Sequence, residues 1–475
     1  MSTIQNYNKR LESMRSERST FMDQYRDLST YILAHRGRFI FSEENKGYKK
    51  YARQYNPSAR LNIRTLASGM MSGITSPARP WFRLGAPEGL EEEPGVPQWL
   101  YFVERLMYRV FAASNTYNSL HTLYSELAVF ATAPLGIFPD FENVIRTKSY
   151  TVGSYYLGAG PNGMVDSLYR EFEMPAGALV KEFGYENCSR RTKKLWDKGG
   201  TEEFVRVVHV VEPNDDRDMG SPLAEDKAFR SVYYELGQLG QQVGDQFLKK
   251  SGFDRFPIAC PRWDVAGEDI YGTDCPGMIA LGDCKALQLT EKRKYQAIDK
   301  VTNPLLIGSP SIVTQHKNAG VNDILAVTNP NERLDSVYGT WRPDLNAIYN
   351  DQREIEARIS KAFYADLFLM LASTDRREIT AREVSERHEE KLLMLGPMLE
   401  RLHSELLDPL INITFERLVN AGVIPPAPEA LQNTELSVEY ISVLAQAQRM
   451  SSVNGIERVV GFASSVAQIW PEASM

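Results

Sequence analysis

At 475 residues, 43% hydrophobic and 24% charged, the chain has the composition of a folded globular protein, long enough for two or three domains and neither disordered nor membrane-spanning. Its best apolar run, Leu127 to Phe138, contains Pro134 and falls short of the roughly 18 residues a spanning helix needs. A net charge of −7, from 54 Lys and Arg against 61 Asp and Glu, argues against a protein that grips nucleic acid by neutralising phosphates, though not against one past which nucleic acid slides.

The N-terminus MSTIQNYNKRLESMRSERS lacks the apolar segment of a secretion signal. Instead Ile4, Tyr7, Leu11, Met14, Phe21, Tyr25, Leu28 and Ile32 recur at helical spacing, with Arg18 as the one interruption. That stripe predicts one long helix ending near His35-Arg36-Gly37, where Gly supplies a C-cap. Ala59 to Met71, Gln98 to Ala113 and Asn118 to Ala131 read as further helices, so the first 140 residues are mainly helical.

From Tyr150 to about Pro261 the texture changes to aromatic and β-branched runs separated by Gly, Asn, Asp and Pro. Within it, Leu157-Gly158-Ala159-Gly160-Pro161-Asn162-Gly163 satisfies the G-x-G-x-x-G pattern of dinucleotide-binding loops. Such a loop works where a buried strand delivers a tight turn onto a helix N-terminus. Here Ser154 to Leu157 is not a continuous aliphatic run, and Val165 to Phe172 alternates as a strand would. Asn-Gly between two β-prone segments predicts a hairpin, leaving a cofactor enzyme that uses Gly158, Gly160 and Gly163 as the weaker alternative. The acidic turn Asn214-Asp215-Asp216-Arg217-Asp218 lacks the glycine and distal glutamate of a calcium loop and reads as an exposed strand connection.

Helix returns at Met278 to about Val301. Its centre, Glu291-Lys292-Arg293-Lys294-Tyr295, is polar nearly all round, so it must pack on neighbouring chains or bridge elements. Asn303 to Pro343 reads as a small strand-and-turn module, and Asp344 then caps a helix carrying Leu345, Ile348, Ile355, Ile359, Phe363, Leu367 and Met370 on one side. After the polar interval Ser373 to Glu378, Thr380-Ala381-Arg382-Glu383 forms a capping box. The stripe behind it, from Val384 through His388 and Leu392 to Ile413, runs on until Gly422 and Pro425-Pro426. Pro397 and Pro409 fall inside that stripe and are expected to kink the helix.

Tests for catalysis fail. There is no Gly-Lys dipeptide, hence no Walker A loop, and no G-x-S-x-G elbow. His388-Glu389-Glu390-Lys391-Leu392 lacks the second histidine of a zinc helix, and Cys188, Cys260, Cys275 and Cys284 form no C-x-x-C pair, which suits buried reduced thiols. The residues call for no cofactor and no metal.

Three long segments together resemble the portal, or head-to-tail connecting, proteins of short-tailed bacteriophages. They are Leu61 to Phe82, which contains Gly69-Met70-Met71-Ser72-Gly73; Pro257 to Pro304, which contains Pro261-Arg262-Trp263 and Ile270-Tyr271-Gly272; and Thr380 to Pro426, which contains Leu395-Gly396-Pro397 and Asp408-Pro409. The resemblance implies an α+β portal fold with a helical and β-rich wing, two long stem helices, a small α/β clip, a long kinked wing helix and a short or missing helical crown. It makes 1–277 the wing, helical over 1–140 and β-rich over 150–261. Residues 278–302 become the first stem helix, 303–343 the clip, 344–371 the second stem helix and 372–379 the channel loop. The long kinked wing helix is then 380–422, and 423–475 is a crown-proximal segment. Family members usually continue beyond the stretch resembling Leu436 to Arg449 into a crown, so the crown here is short, truncated or removed.

The resemblance further implies a non-enzymatic homo-oligomeric ring, usually of twelve subunits, at one capsid vertex of the virion, made in the host cytoplasm. Double-stranded DNA passes through such a ring during packaging and ejection. The terminase large subunit, a tail adaptor and the major capsid and scaffolding proteins are its partners, with no membrane involved. Twelve copies of this chain would carry about −84, which suits a conduit that must not hold phosphates. Arg376 and Arg377 in the loop, with Lys292, Arg293 and Lys294 on the stem, are candidates for local contact with the duplex, and intersubunit salt bridging is the competing account of the same residues. A tail adaptor or nozzle ring is the structural alternative to a portal, less favoured because adaptors are typically shorter and lack a wing with two stem helices.

Overall fold

The computed structural model describes residues 4–36, 54–87, 89–90, 93–237, 242–303, 306–310, 312–314, 335–336, 345–372, 394–431 and 437–449. The N-terminal stripe does not form one helix. It divides at Thr20 and Phe21 into α1 (Ile4–Ser19) and α2 (Met22–Tyr31), which ends before the expected cap. Then come α3 (Ser58–Gly73), the short strand β1 (Phe82–Gly85), α4 (Val96–Ala113) and α5 (Thr116–Phe130), close to the expected bounds.

The middle region is β-rich, as its texture predicts. β2 (Leu135–Asp140) and β3 (Val144–Ser149) form one antiparallel pair; β4 (Tyr155–Ala159) and β5 (Val165–Pro175) form another. Two short helices, α6 (Ala176–Phe183) and α7 (Arg190–Asp197), precede β6 (Phe204–Pro213), β7 (Phe229–Leu236) and β8 (Gln242–Phe253). Strands β4-β5-β6-β7-β8 make one five-stranded sheet in sequence order, every pairing antiparallel. β9 (Ile258–Ala259) joins the other edge of β2.

LGAGPNG is the turn of the β4–β5 hairpin, with Leu157 opposite Leu168 and Gly163 at φ +73°, where a side chain would be strained. Gly160 N–H donates to the Met164 carbonyl at 2.9 Å, and strand rather than helix follows. Gly158 is needed for packing, because a Cβ there would lie 2.8 Å from Met14 Cε of α1. The cofactor-loop alternative fails on this geometry: no helix N-terminus is present to receive a pyrophosphate.

In the C-terminal half, α8 (Pro276–Thr302) is followed by a small antiparallel pair, β10 (Leu306–Ile307) and β11 (Asp335–Ser336). The helix expected over 344–371 is interrupted: α9 (Leu345–Ala362) and α10 (Ala365–Ala372) are separated by Tyr364 at φ +50°. Both pieces bury their apolar faces in one core, Ile355, Ile359 and Phe363 from the first and Leu367 and Phe368 from the second. The break re-aims the second piece so that Phe368 lies on Gly69 of α3, where a Cβ would come within 2.5 Å of Phe368 Cβ. A helical run α11 over 394–402, a π-helical turn His403–Leu407 and α12 (Asp408–Asn420) follow, and β12 (Ser437–Tyr440) returns to pair with β1.

Two main cores result, and the N-terminal stripe serves both. Ile4, Tyr7, Leu11 and Met14 of α1 pack on Tyr156, Tyr169, Val208 and Tyr234 of the five-stranded sheet. Tyr25, Leu28 and Ile32 of α2 belong to the helical core with α3, α4, α5, α10 and α12. Arg18 sits at the change-over, buried, donating to the Tyr155 carbonyl at 2.6 Å with its guanidinium 3.9 Å from the Tyr156 ring centroid. A desolvated guanidinium over an aromatic face is favourable, which accounts for the one charge in an apolar stripe.

Candidate functional site

The residues singled out for contact with a duplex lie on α8 and beyond α10. α8 and α9 are antiparallel, as the contacts between them show: Asp283 pairs with Arg358 at 3.0 Å, and Gln352 lies opposite Glu291 and Lys294. The buried stripe of α8 is apolar at its start, with Ala280, Cys284 and Leu287, and polar further on, with Gln288, Glu291 and Lys294. Gln288 Oε1 accepts from the backbone N–H groups of Tyr55 and Asn56 at 2.5 and 2.9 Å, fixing the chain just before α3. The polar centre is thus held inside the subunit by neighbours that satisfy it.

Lys294 is enclosed in this arrangement. Its ammonium is buried between the two helices, 2.5 Å from Glu291 Oε1 and 3.0 Å from Gln352 Oε1. A cation so engaged, with the Tyr349 ring centroid at 5.0 Å, is partnered by residues of α8 and α9. Lys292 and Arg293 are exposed on the opposite side of α8. Arg376 and Arg377 lie outside the described residues, as do the capping box at Thr380 and His388.

A second constellation, unread in the sequence, joins two of the three segments that carried the resemblance to the β4–β5 hairpin. Arg262 and Glu405 are both buried, and their side chains pair with Nε–Oε1 at 3.0 Å and Nη2–Oε1 at 2.5 Å. Glu405 Oε2 also accepts the Arg262 backbone N–H at 2.8 Å, while Arg262 donates onward to the carbonyls of Asp269 and Gly163 at 3.2 Å. The hairpin turn, the segment after β9 and the long C-terminal helix therefore meet on one guanidinium. Every one of these contacts is charge-assisted, which is what a buried ion pair needs to offset its desolvation.

Glu405 reaches Arg262 from the π turn. Pro409 has no N–H for the carbonyl four residues back, and the helix widens ahead of it, with the Asp408 N–H bonding the His403 carbonyl. The helix thus leaves α geometry just ahead of Pro409, and Glu405 projects from that turn. Tyr440 of β12 closes the turn from outside, its hydroxyl donating to Asp408 and its ring stacked 4.2 Å from His403. Pro397 lies within a helical run that continues unbroken to 402, and the residues preceding 394 lie outside the described set.

The match to known proteins runs through all of these elements: residues 4–475 fit the family of bacteriophage head to tail connecting proteins. This chain belongs to that family. It is 42% identical to a probable portal protein of Bordetella phage BPP-1, over 97% of this chain and 82% of that protein. It is 41% identical to the portal protein of Salmonella phage epsilon15, over 98% of this chain and 83% of that one. Among solved structures, a chain in the neck of an empty gene transfer agent particle aligns with 87% of this chain and 90% of its own, at 11% identity and a TM-score of 0.40, too loose a fit to argue from.

The connector buries other ionisable groups as well. The four cysteines are free and buried, and burial pushes the thiols of Cys275 and Cys284 up to about 12. His209, against Ser231 at 3.0 Å and stacked on Tyr233, is driven down to about 3, first by burial and then by Arg170, Lys148 and Lys249. Among the described residues no group of three His, Cys, Asp or Glu could hold a metal, and no helix is long and apolar enough to cross a membrane.

Glu126 of α5 is fully buried, and burial raises its carboxyl to about 7, partly offset by the Arg36 guanidinium 3.7 Å away. Between about pH 4.5 and 7 the folded connector holds a proton that the unfolded chain releases. Stability from this group therefore falls as pH rises through that window and levels off above it. Glu126→Gln should gain about 2–3 kcal/mol over the native chain at pH 8 and almost nothing at pH 4.5. Denaturant unfolding at the two pH values measures the difference, and an equal effect at both would refute the assignment.

Proposed function

We propose that this connector works as a portal: a non-enzymatic ring at one capsid vertex through which double-stranded DNA enters during packaging and leaves during ejection. The observation that carries the reading is the breadth of the family match, from residue 4 to 475, together with portal relatives matched over more than four fifths of their length. In this reading the sheet and the N-terminal helices form the wing, and α8 and α9 serve as the stem pair. The segment between them is the clip, residues 372–379 the channel loop, and 380–422 the kinked wing helix. Twelve subunits close the ring. The terminase large subunit docks on it as the ATPase, and a tail adaptor replaces the terminase later. Major capsid and scaffolding proteins surround the ring in the virion.

Antiparallel α8 and α9 support this assignment, since two helices joined by a short module can run along a channel wall and return. Lys292 and Arg293, with Arg376 and Arg377, are the cations proposed to touch the duplex, and Lys294 is withdrawn from that set. Negative-stain imaging of the purified protein tests the ring: particles with rotational symmetry and a hole of roughly 20 Å or more support it, because a B-form duplex must fit. Uniform monomers or closed dimers, in the presence of scaffolding protein as well, would overturn it. Substituting Lys292, Arg293, Arg376 and Arg377 by alanine should leave rings intact while packaged DNA per particle falls, and unchanged packaging would remove these residues from the channel.

A further inference from the structure

The five-stranded sheet carries surfaces of opposite charge at its two ends. At the start of β6 stands α7, RRTKKLWD, in which Arg190, Arg191, Lys193 and Lys194, with Lys198 just beyond, face one acid, Asp197. Local partners take up some of this charge: Lys193 bonds the Glu186 carbonyl at 2.9 Å and lies 3.7 Å from its carboxylate, a second acid beside the helix, and Asp197 accepts from the Tyr185 hydroxyl at 3.0 Å. Arg190, Arg191, Lys194 and Lys198 have no ion-pair partner among the described residues. Phe204, at the first position of β6, is 54% exposed. Glu202 and Glu203, in the preceding turn, are the acidic exceptions.

At the other end of β6 the loop 214–228 presents Asp215, Asp216, Asp218, Glu225 and Asp226 against Arg217 and Lys227. Lys227 is engaged by Asp254 at 2.7 Å, and Arg230 of β7 lies 3.9 Å from Asp216. Two large apolar side chains stand out of this loop, Met219 at 85% and Leu223 at 57% exposed. Ten residues of strand separate the two surfaces by about 30 Å, so they do not meet within one subunit.

We infer that these are two halves of one contact, and that α7 of each subunit docks on the 214–228 loop of the next. Each half sets an exposed apolar surface, Phe204 in one and Met219 with Leu223 in the other, beside an excess of charge of one sign, the composition of an interface with an apolar centre and a polar rim. Charge complementarity identifies a second copy as the occupant. Two different patches of opposite sign on one chain fit a head-to-tail contact repeated around a closed ring; a two-fold dimer could use the same pair twice about its axis, so the cyclic form follows from the ring reading. The inference rests on the ring reading and adds to it the residues that join neighbours in the sheet layer.

The test is a charge exchange on the full-length chain. Arg190→Glu, Arg191→Glu and Lys194→Glu in one protein, and Asp215→Lys, Asp216→Lys and Glu225→Lys in another, should each reduce the ring fraction about tenfold or more, because like charges then face each other. Combining all six should restore rings. Asparagine or glutamine at the three acidic positions should give a smaller loss, one that shrinks as added salt screens the native contact. Circular dichroism of each variant checks that these exposed changes leave the subunit folded. Native ring fractions in both reversals, or no recovery in the combined protein, would overturn the contact while leaving the ring reading standing. A native chain that never forms rings fails the ring reading itself.

Discussion

Arg262→Ala should destabilise the subunit by about 3–5 kcal/mol, the range for removing one partner of a buried charge pair. The loss is large because Glu405 would keep a buried charge with only the Arg262 backbone N–H left to it, and the carbonyls of Gly163 and Asp269 would each lose a donor. Glu405→Ala should cost a similar amount for the mirrored reason. Combining the two, Arg262→Ala with Glu405→Ala, should cost less than the two single losses together, since no lone charge remains; much of the loss stays because the orphaned backbone groups persist. Urea unfolding of the four proteins measures the cycle. Losses that simply add would show that the pair does not act as a unit. In the assembled connector the same junction anchors the long C-terminal helix to the hairpin, so ring yield should fall with stability.

Gly272→Ala is the second large effect expected. A Cβ at this position would stand 2.3 Å from the Ala131 carbonyl oxygen and 2.7 Å from Ala131 Cβ, and the oxygen belongs to backbone. Neither side can yield easily. The Gly272 N–H is held by Thr132 Oγ1 at 2.8 Å, the Ala131 carbonyl accepts from Trp263 N–H at 2.8 Å, and Ala131 itself sits at φ +59°. Overpacking of this kind costs about 1–3 kcal/mol, and a rigid backbone contact belongs at the upper end. Gly282→Ala provides the control: that glycine is exposed in α8 with nothing within 4 Å of a new Cβ. There alanine should stabilise by up to about 1 kcal/mol through helix propensity. Equal shifts in melting temperature for the two variants would contradict the packing argument.

Much of the architecture was legible because it is written locally. Asn162-Gly163 demanded a turn with positive φ, and the alternation after it demanded a strand, so the apparent cofactor motif resolved into a hairpin without reference to distant residues. The helices α3, α4, α5 and α8 were readable from period and from their Pro and Gly boundaries. The breaks at Thr20-Phe21 and at Tyr364 were not, because the apolar period continues through them. In each case the stripe keeps its phase in sequence while its two halves aim differently in space, and only the position of the neighbouring layer reveals it.

The candidate site shows the same division. Periodicity could say that the centre of α8 is polar all round, but which of Lys292, Arg293 and Lys294 faces inward depended on where α9 lies. Gln352 on that helix decided it, 58 residues away from Lys294. Arg262 and Glu405 are 143 residues apart, so neither could be read as the partner of the other. Their only sequence trace is Pro409, whose missing N–H marks the place where the helix widens. By itself, then, the sequence determined the local elements, the acidic balance and the family, because turn chemistry, apolar period and long ordered motifs are properties of contiguous residues. Which charges are buried, where two helices break and how the hairpin is anchored were decided by the tertiary structure alone, because burial and pairing depend on residues that the chain brings together only on folding.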